Sequence, residues 1–494
     1  MESPSMSDQA KQTSTPQEAD KRALPKEKTS ITQHTLMLNG EQLSYTATAG
    51  IKHLRNTDEE QSAAIFYVAY TLDGVDDLST RPITFCFNGG PGSCSVWLHL
   101  GAYGPQRIDM ADGVMPKPNH ARLIDNDCTL LDATDLVFID PVGTGFSRAG
   151  EAGKPEDFYG LEGDADSVCQ FIHRYLSQHH RWASPKFLSG ESYGTTRAGA
   201  MAQRLQAQGI ALNGLILISL AVNFQTFIFN LGNDLPYLMF LPTFTAVAWY
   251  HKMLDDDLSD DLESLLREVR AWAFDVYAPA LMRGASLSAE RKSEVAAQLS
   301  RYTGLSVDEI LHLDLRIADM RFSKSVLGRP GWTVGRMDGR YTGYDLDRDH
   351  RRTQRDPSID APMASYTGLI NDHLRRTLAF EHESTYDIIN MKANADWKWA
   401  RKGHLGYPDT SGDLRQAMIG NPHLKVLFAN GLYDLATPFF GAEYTADHLD
   451  LDSALRENIT LTYYPAGHMM YFHRESHEAL RADLLTFYQS ALSE

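Results

Sequence analysis

The chain is poor in cysteine, in positive charge and in long apolar runs, and each shortage removes a class of protein. Four cysteines in 494 residues are too few for a disulfide scaffold. Cys86, Cys94, Cys128 and Cys169 show no CxxC or CxxH spacing that holds zinc, so they read as buried free thiols and no metal is expected. Lysine and arginine total 46 against 64 aspartates and glutamates, a net charge of −18. That field repels nucleic-acid backbones and anionic membrane surfaces, so neither is expected as a partner. The Arg-rich stretch Arg348–Arg355 is interleaved with aspartates and reads as a solvated loop. The most apolar run, Leu235–Tyr250, is shorter than a bilayer requires and contains Pro236 and Pro242, which argues against a spanning helix. Residues 1–29 are rich in Ser, Thr, Gln, Lys and Pro and lack an apolar signal core, so they read as a disordered leader. With the free thiols, this leans towards a reducing, cytoplasmic setting.

What is present is ample material for a core, with 43% hydrophobic residues. Between Ile31 and Leu72 apolar and polar residues alternate, as at Leu36, Leu38, Leu43 and Tyr45, which predicts antiparallel strands. Short apolar runs at 82–87, 135–140, 185–189 and 215–220 read as buried parallel strands, linked by helical patterns at 163–179 and 195–208. From Leu235 to Asn421 helical patterns dominate, at 262–281, 288–302 and 306–311, beside a Gly/Arg/Tyr-rich segment at 328–344. Strand signatures return at 424–430 and 459–464. The expected architecture is therefore α/β: a core of 30–234 and 422–494 with a mostly parallel sheet, interrupted by a helical cap over 235–421.

Chemistry concentrates where strands end. Gly190-Glu191-Ser192-Tyr193-Gly194 follows a strand and precedes a helix, the setting of a nucleophile elbow, in which small neighbours permit a strained turn that presents the serine. A serine hydroxyl needs a histidine base, and the histidine needs an acidic partner that fixes its tautomer. Chain order selects Asp434 and His468, each just beyond a later strand. Asp140 ends an earlier strand, before the serine, and is disfavoured. His473 and His477 fall beyond the strand end and read as surface histidines. Donors for an oxyanion are expected from the Tyr193 amide and from the turn Asn88-Gly89-Gly90-Pro91-Gly92. The second glycine-rich turn, Gly143-Thr144-Gly145, carries Arg148 where a dinucleotide loop needs a third glycine, so no cofactor is expected.

Together these motifs resemble the serine carboxypeptidases, peptidase family S10. The resemblance rests on Asn88 to Gly92 with Gly104-Pro105, on Phe138 to Ser147, on Gly190 to Gly194, on Asn430 to Asp434 and on Ala466 to Met469. It implies an α/β-hydrolase fold and a triad of Ser192, Asp434 and His468. It implies Gly90 and Tyr193 amides as oxyanion hole, Asn88 and Glu191 as binders of the substrate's terminal carboxylate, and Tyr193 and Met469 in the side-chain pockets. A carboxyl group beside a carboxylate must be protonated to bind it, which implies acid-favoured cleavage of C-terminal residues from peptide substrates. Three positions depart from the pattern. The family's further glutamate falls on Ala102, its tryptophan on Cys86, and its cysteine on Ser93, with Cys94 one place later. These departures imply a weaker or less acid-dependent preference for free carboxylates and no disulfide there. An esterase or acyltransferase on the same scaffold is the alternative activity, and a non-catalytic binding protein a third reading. The sequence carries no mark of oligomerisation; a homodimer stays open.

Overall fold

The computed structural model describes residues 24–110, 121–258, 260–345, 355–401 and 403–493. Ten strands form one sheet: β1 (Lys28–Leu38), β2 (Glu41–Arg55), β3 (Gln61–Leu72), β4 (Ile83–Phe87), β5 (Asp135–Ile139), β6 (Arg148–Ala149), β7 (Lys186–Glu191), β8 (Gly214–Ile218), β9 (Lys425–Gly431) and β10 (Ile459–Tyr464). Their order is β1-β2-β3-β5-β4-β7-β8-β9-β10, with the short β6 beside β3. The first three strands are antiparallel, and those from β5 to β10 run parallel. Asn39 and Gly40, both at positive φ, close the β1–β2 hairpin as two-residue hairpins prefer. Pairing begins at Lys28, opposite Ile51. The expected leader therefore overlaps the sheet at Lys28 and Thr29, because β2 is long enough to supply partners there; residues 1–23 lie outside the described residues. The Arg348–Arg355 stretch also lies outside them, except for Arg355.

Both faces of the sheet are covered, and the central parallel strands β4, β5, β7 and β8 are buried along their whole length. On one face lie α1 (Leu161–Gln178) and α2 (Tyr193–Ala207), with Val168, Phe171, Ile172 and Tyr175 turned inward. The insertion follows β8. Its first part, with α3 (Leu235–Tyr250), α4 (Leu262–Trp272) and α5 (Ala289–Thr303), packs into a hydrophobic core of its own that also takes in Tyr433, Leu435, Phe439 and Phe440. The helical pattern expected over 262–281 is broken by a wide turn at Ala273–Tyr277, two residues before Pro279, which has no N–H to continue an α-helix. No helix among the described residues is long and apolar enough to cross a membrane.

Beyond residue 356 the packing changes partner. From α6 (Pro357–Asp372), Tyr366 and Ile370 join the main core, and from α7 (Ser411–Gly420), Leu414, Ala417 and Met418 pack on the α2 side of the sheet. The segment between them is laced to the loops at the carboxyl ends of the strands by bridges Ser93–Ile389, Gly145–Asp387, Gly160–Lys398 and Asn223–Asp409. The C-terminal helix α8 (Arg474–Leu492) covers the other face through Leu480, Leu484 and Phe487.

Candidate active site

Strand β7 ends at Glu191 and α2 begins at Tyr193, which leaves Ser192 between them at φ 60° and ψ −129°. Such a backbone conformation costs a non-glycine residue roughly 1–3 kcal/mol. Its surroundings hold it. Ser192 N donates to Ile218 O at 2.9 Å, and Ser192 O accepts from Thr195 N at 2.8 Å and Thr195 Oγ1 at 2.7 Å. The flanking glycines are demanded by space. A β-carbon at Gly190 would lie 2.3 Å from Gly194 O, and one at Gly194 would lie 2.8 Å from Phe87 O. The turn after β4 is pressed against the elbow: a β-carbon at Gly89 would lie 2.4 Å from Tyr193 N. Gly90 and Tyr193 consequently line the same cavity as Ser192, a space of about 880 Å3.

Asp434 and His468 come from the loops after β9 and β10. Asp434 is fully buried, and its Oδ2 lies 2.7 Å from His468 Nδ1. Its Oδ1 accepts from Ala436 N at 2.8 Å and Thr437 N at 3.0 Å, and Oδ2 also accepts from Thr437 Oγ1 at 2.7 Å. With its oxygens so fixed, Asp434 accepts the Nδ1 proton of His468 and leaves Nε2 as the acceptor. Burial pulls the His468 pKa down, but the charge and hydrogen bond of Asp434 and the charge of Glu191 outweigh it, and the net direction is upward. His468 lines the Ser192 cavity; among the described residues no hydrogen bond yet joins its ring to the serine, a looseness common in substrate-free sites.

Next to the serine, Glu191 is buried and points into a set of donors. Asn88 Nδ2 donates to Oε1 at 3.0 Å, and the Tyr471 hydroxyl donates to Oε2 at 2.7 Å. Burial pushes Glu191 up to about 7, against the pull of His468 and of the two hydrogen bonds. Asn88 is itself fixed, its Oδ1 accepting from Leu98 N at 3.1 Å and its carbonyl from Arg197 Nη1 at 2.7 Å. Arg197 is buried and paired with Asp164 at 2.8 Å, so α1 and α2 together brace the turn. The opposite lobe of the cavity is aromatic. Tyr193 stands edge-on to Trp397 and Trp399, with ring centroids 5.2 and 5.9 Å apart, and Phe224, Phe227 and Tyr407 continue the wall. Met469 lines the cavity beside His468.

The structure thus gathers Ser192, His468, Gly90, Tyr193, Asn88, Glu191 and Met469 around one cavity, with Asp434 buried behind His468. Asp140 is elsewhere: its Oδ1 accepts from Ser95 N and Oγ at 2.9 and 2.8 Å, bracing the β4 loop. Ala102 is buried and the four cysteines are free and buried. His477 corrects the expectation of a surface residue. It faces inward from the first turn of α8, donates from Nε2 to Ala102 O at 2.8 Å, and is held neutral by burial, which lowers its pKa to about 4. No group of three or more His, Cys, Asp or Glu among the described residues could hold a metal ion.

Two features escaped sequence reasoning. Tyr471 stands three residues after His468, two beyond the Ala466–Met469 motif, and only folding aims it at Glu191. The segment 335–340 of the insertion touches both loops of the acid–histidine pair. Leu435 N donates to Arg336 O at 3.0 Å, His468 N to Met337 O at 2.6 Å, Gly467 N to Asp338 Oδ2 at 3.1 Å, and Gly339 N to Tyr433 O at 2.9 Å. Nothing in the Gly/Arg/Tyr-rich composition of that segment announces it.

A mostly parallel sheet carrying a serine elbow at one strand end and a buried acid–histidine pair at later ones defines an α/β hydrolase. The sequence model of the serine carboxypeptidases matches residues 43–469, and the chain belongs to that family. Among curated relatives it is similar to serine carboxypeptidase-like 7 of Arabidopsis thaliana, 29% identical over 141 residues, which are 27% of this chain and 30% of the relative. It is also similar to the pheromone-processing carboxypeptidase KEX1 of Saccharomyces cerevisiae, 31% identical over 147 residues, 28% of this chain and 19% of the relative. These alignments span less than a third of either relative. Among solved structures, Kex1(delta)p, a prohormone-processing carboxypeptidase from Saccharomyces cerevisiae, shares the fold with a TM-score of 0.56 at 16% identity, covering 90% of this chain and 91% of that one.

Proposed function

We propose that the protein is a serine-type carboxypeptidase that releases C-terminal residues from peptides through an acyl-enzyme. The observation that carries this reading is the buried Glu191 carboxyl, joined to Asn88 and adjacent in sequence to the strained Ser192. In this reading Ser192 Oγ attacks the last peptide carbonyl while His468 Nε2 takes its proton, and Asp434 stabilises the imidazolium. The amides of Gly90 and Tyr193 receive the developing oxyanion, each donor contributing about 2.7–4 kcal/mol. His468 then protonates the departing amine, and water, activated by the same histidine, releases the acyl group. The substrate's terminal carboxylate lies against Asn88 and Glu191, which must carry a proton to donate to it. Burial keeps that proton in place up to about pH 7. Tyr193, with its aromatic neighbours, and Met469 contact the side chains flanking the scissile bond. Residues 235–345, which hold a core of their own, act as the cap, while the remainder of the 235–421 segment belongs with the hydrolase core.

The test compares an N-blocked dipeptide, its C-terminal amide and a simple ester between about pH 4 and 8, for the wild type and for Ser192→Ala. Release of the C-terminal amino acid, favoured over the amide below about pH 7 and lost in Ser192→Ala, is the expected result. Ser192-dependent turnover of the ester alone would replace the peptidase reading with an esterase or acyltransferase.

A further inference from the structure

Tyr471 takes no part in the steps above. It lies in the turn Met470–Phe472 just after His468, buried, and outside the wall of the Ser192 cavity. It stands behind Glu191, with a separate small cavity of about 190 Å3 on its far side. Its ring is wedged against Gly101, where a β-carbon would lie 2.6 Å from Tyr471 Cε2, and stands edge-on to His477 with centroids 6.4 Å apart. Glu191 therefore receives one donor on each oxygen, Asn88 on Oε1 and Tyr471 on Oε2, and the two together define the plane of the carboxyl group.

The groups whose charge bears on Glu191 are His468, Asp434, Tyr471, Tyr103 and Tyr366. Burial, the largest cause in each case, drives all three tyrosines well above the ordinary phenol range, so they keep their protons at any working pH. His468 and Asp434 act as a pair on the other side of Ser192. Glu191 is left as the group that changes charge at this end of the cavity. A phenol that keeps its proton donates to either form of the carboxyl but more strongly to the ionised one.

We propose that Tyr471 is the positioning residue of the carboxylate-binding end: its hydroxyl aims the Glu191 carboxyl at the substrate's terminus and sets the upper pH limit of the preference for free acids. The proposal rests on the carboxypeptidase reading above. It also gives the alanine at 102 a counterpart. Support for Glu191 comes from a phenol on a later element, so the end titrates as a single site and not as a pair of carboxyls sharing a proton.

Tyr471→Phe removes only the hydroxyl. KM for an N-blocked free-acid dipeptide should rise about tenfold while kcat stays within about twofold, because a buried hydrogen bond that orients the binding group is lost. The alkaline limb of kcat/KM for that substrate should move to higher pH, since a donor that favoured ionised Glu191 is gone. Ester turnover and fluorophosphonate labelling of Ser192 should stay at wild-type levels. On a Glu191→Gln background, adding Tyr471→Phe should change the pH profile no further. In the wild type the alkaline limb should fall with the slope of a single proton, a readout that needs no variant. An unshifted limb and KM in Tyr471→Phe, an equal loss on ester and free acid, additivity with Glu191→Gln, or a two-proton slope would each overturn the proposal. A wild type indifferent between free acid and amide overturns the carboxypeptidase reading as well, whereas an inert Tyr471→Phe in an enzyme that does prefer free acids overturns the proposal alone.

Discussion

Ser192 takes its geometry from close sequence neighbours, whereas Asp434 and His468 take theirs partly from an insertion far away in the chain. At the elbow, Gly190, Gly194 and Thr195 supply the space and hydrogen bonds, and the adjoining strand supplies one acceptor. At the other side, the backbone around His468 hangs on Met337 O and Asp338, and the loop of Asp434 on Arg336 O. Asp338 is in turn paired with the buried Arg340, whose Nη1 reaches Pro465 O at 3.2 Å. Ser192 is thus presented by local strain, and His468 by tertiary contacts. The first should survive changes in the cap that disable the second.

The largest expected effect tests the pair itself. Asp434→Asn should lower kcat by about 10^3- to 10^4-fold with Ser192 still in place, because an amide no longer holds the His468 tautomer; steady-state kinetics on the ester substrate would read it. Gly190→Ala attacks the elbow alone. With a β-carbon 2.3 Å from Gly194 O it should abolish Ser192 labelling and cost about 3 kcal/mol or more of stability in urea unfolding. Asp338→Ala attacks the borrowed support. Gly467 N loses its acceptor and Arg340 one of its partners, so kcat per labelled active site should fall about 10- to 100-fold with Ser192 still labelled. Equal loss of labelling in both variants would erase the contrast between the two sides.

The smallest effect concerns pH. Burial raises the Glu191 carboxyl from 4.5 to about 7, so below about pH 4.5 it is protonated whether the chain is folded or not. Between about pH 4.5 and 7 the unfolded chain gives up its proton first, and stability falls as pH rises, levelling off above about 7. His468, also raised, loses its contribution in the same direction as pH climbs through its folded pKa. Glu191→Gln should flatten the decline in a series of urea midpoints from about pH 4 to 8, and an unaltered slope would remove Glu191 from the account.

The strands that carry the site were readable because buried parallel strands are short apolar runs and their carboxyl ends carry Gly-rich turns; the buried runs at 83–87, 135–139, 186–191 and 214–218 were each anticipated within a residue or two. The partition of the insertion was not readable. Helical periodicity shows that a face is apolar but not which surface covers it, so the change of partner after residue 356 had no sequence mark. His477 was misplaced for the same reason: its position one turn into α8 leaves the direction of its side chain to the packing of the whole helix.

Local order along the chain determined the sheet, the elbow and the succession Ser192, Asp434, His468, because strand ends, strained turns and their glycines are written in adjacent residues. Only the tertiary structure decided what stands behind Glu191 and what props His468. Tyr471 and Asp338 act across separations that no periodicity encodes, and hydrogen bonds between such residues exist only once burial has brought their elements together.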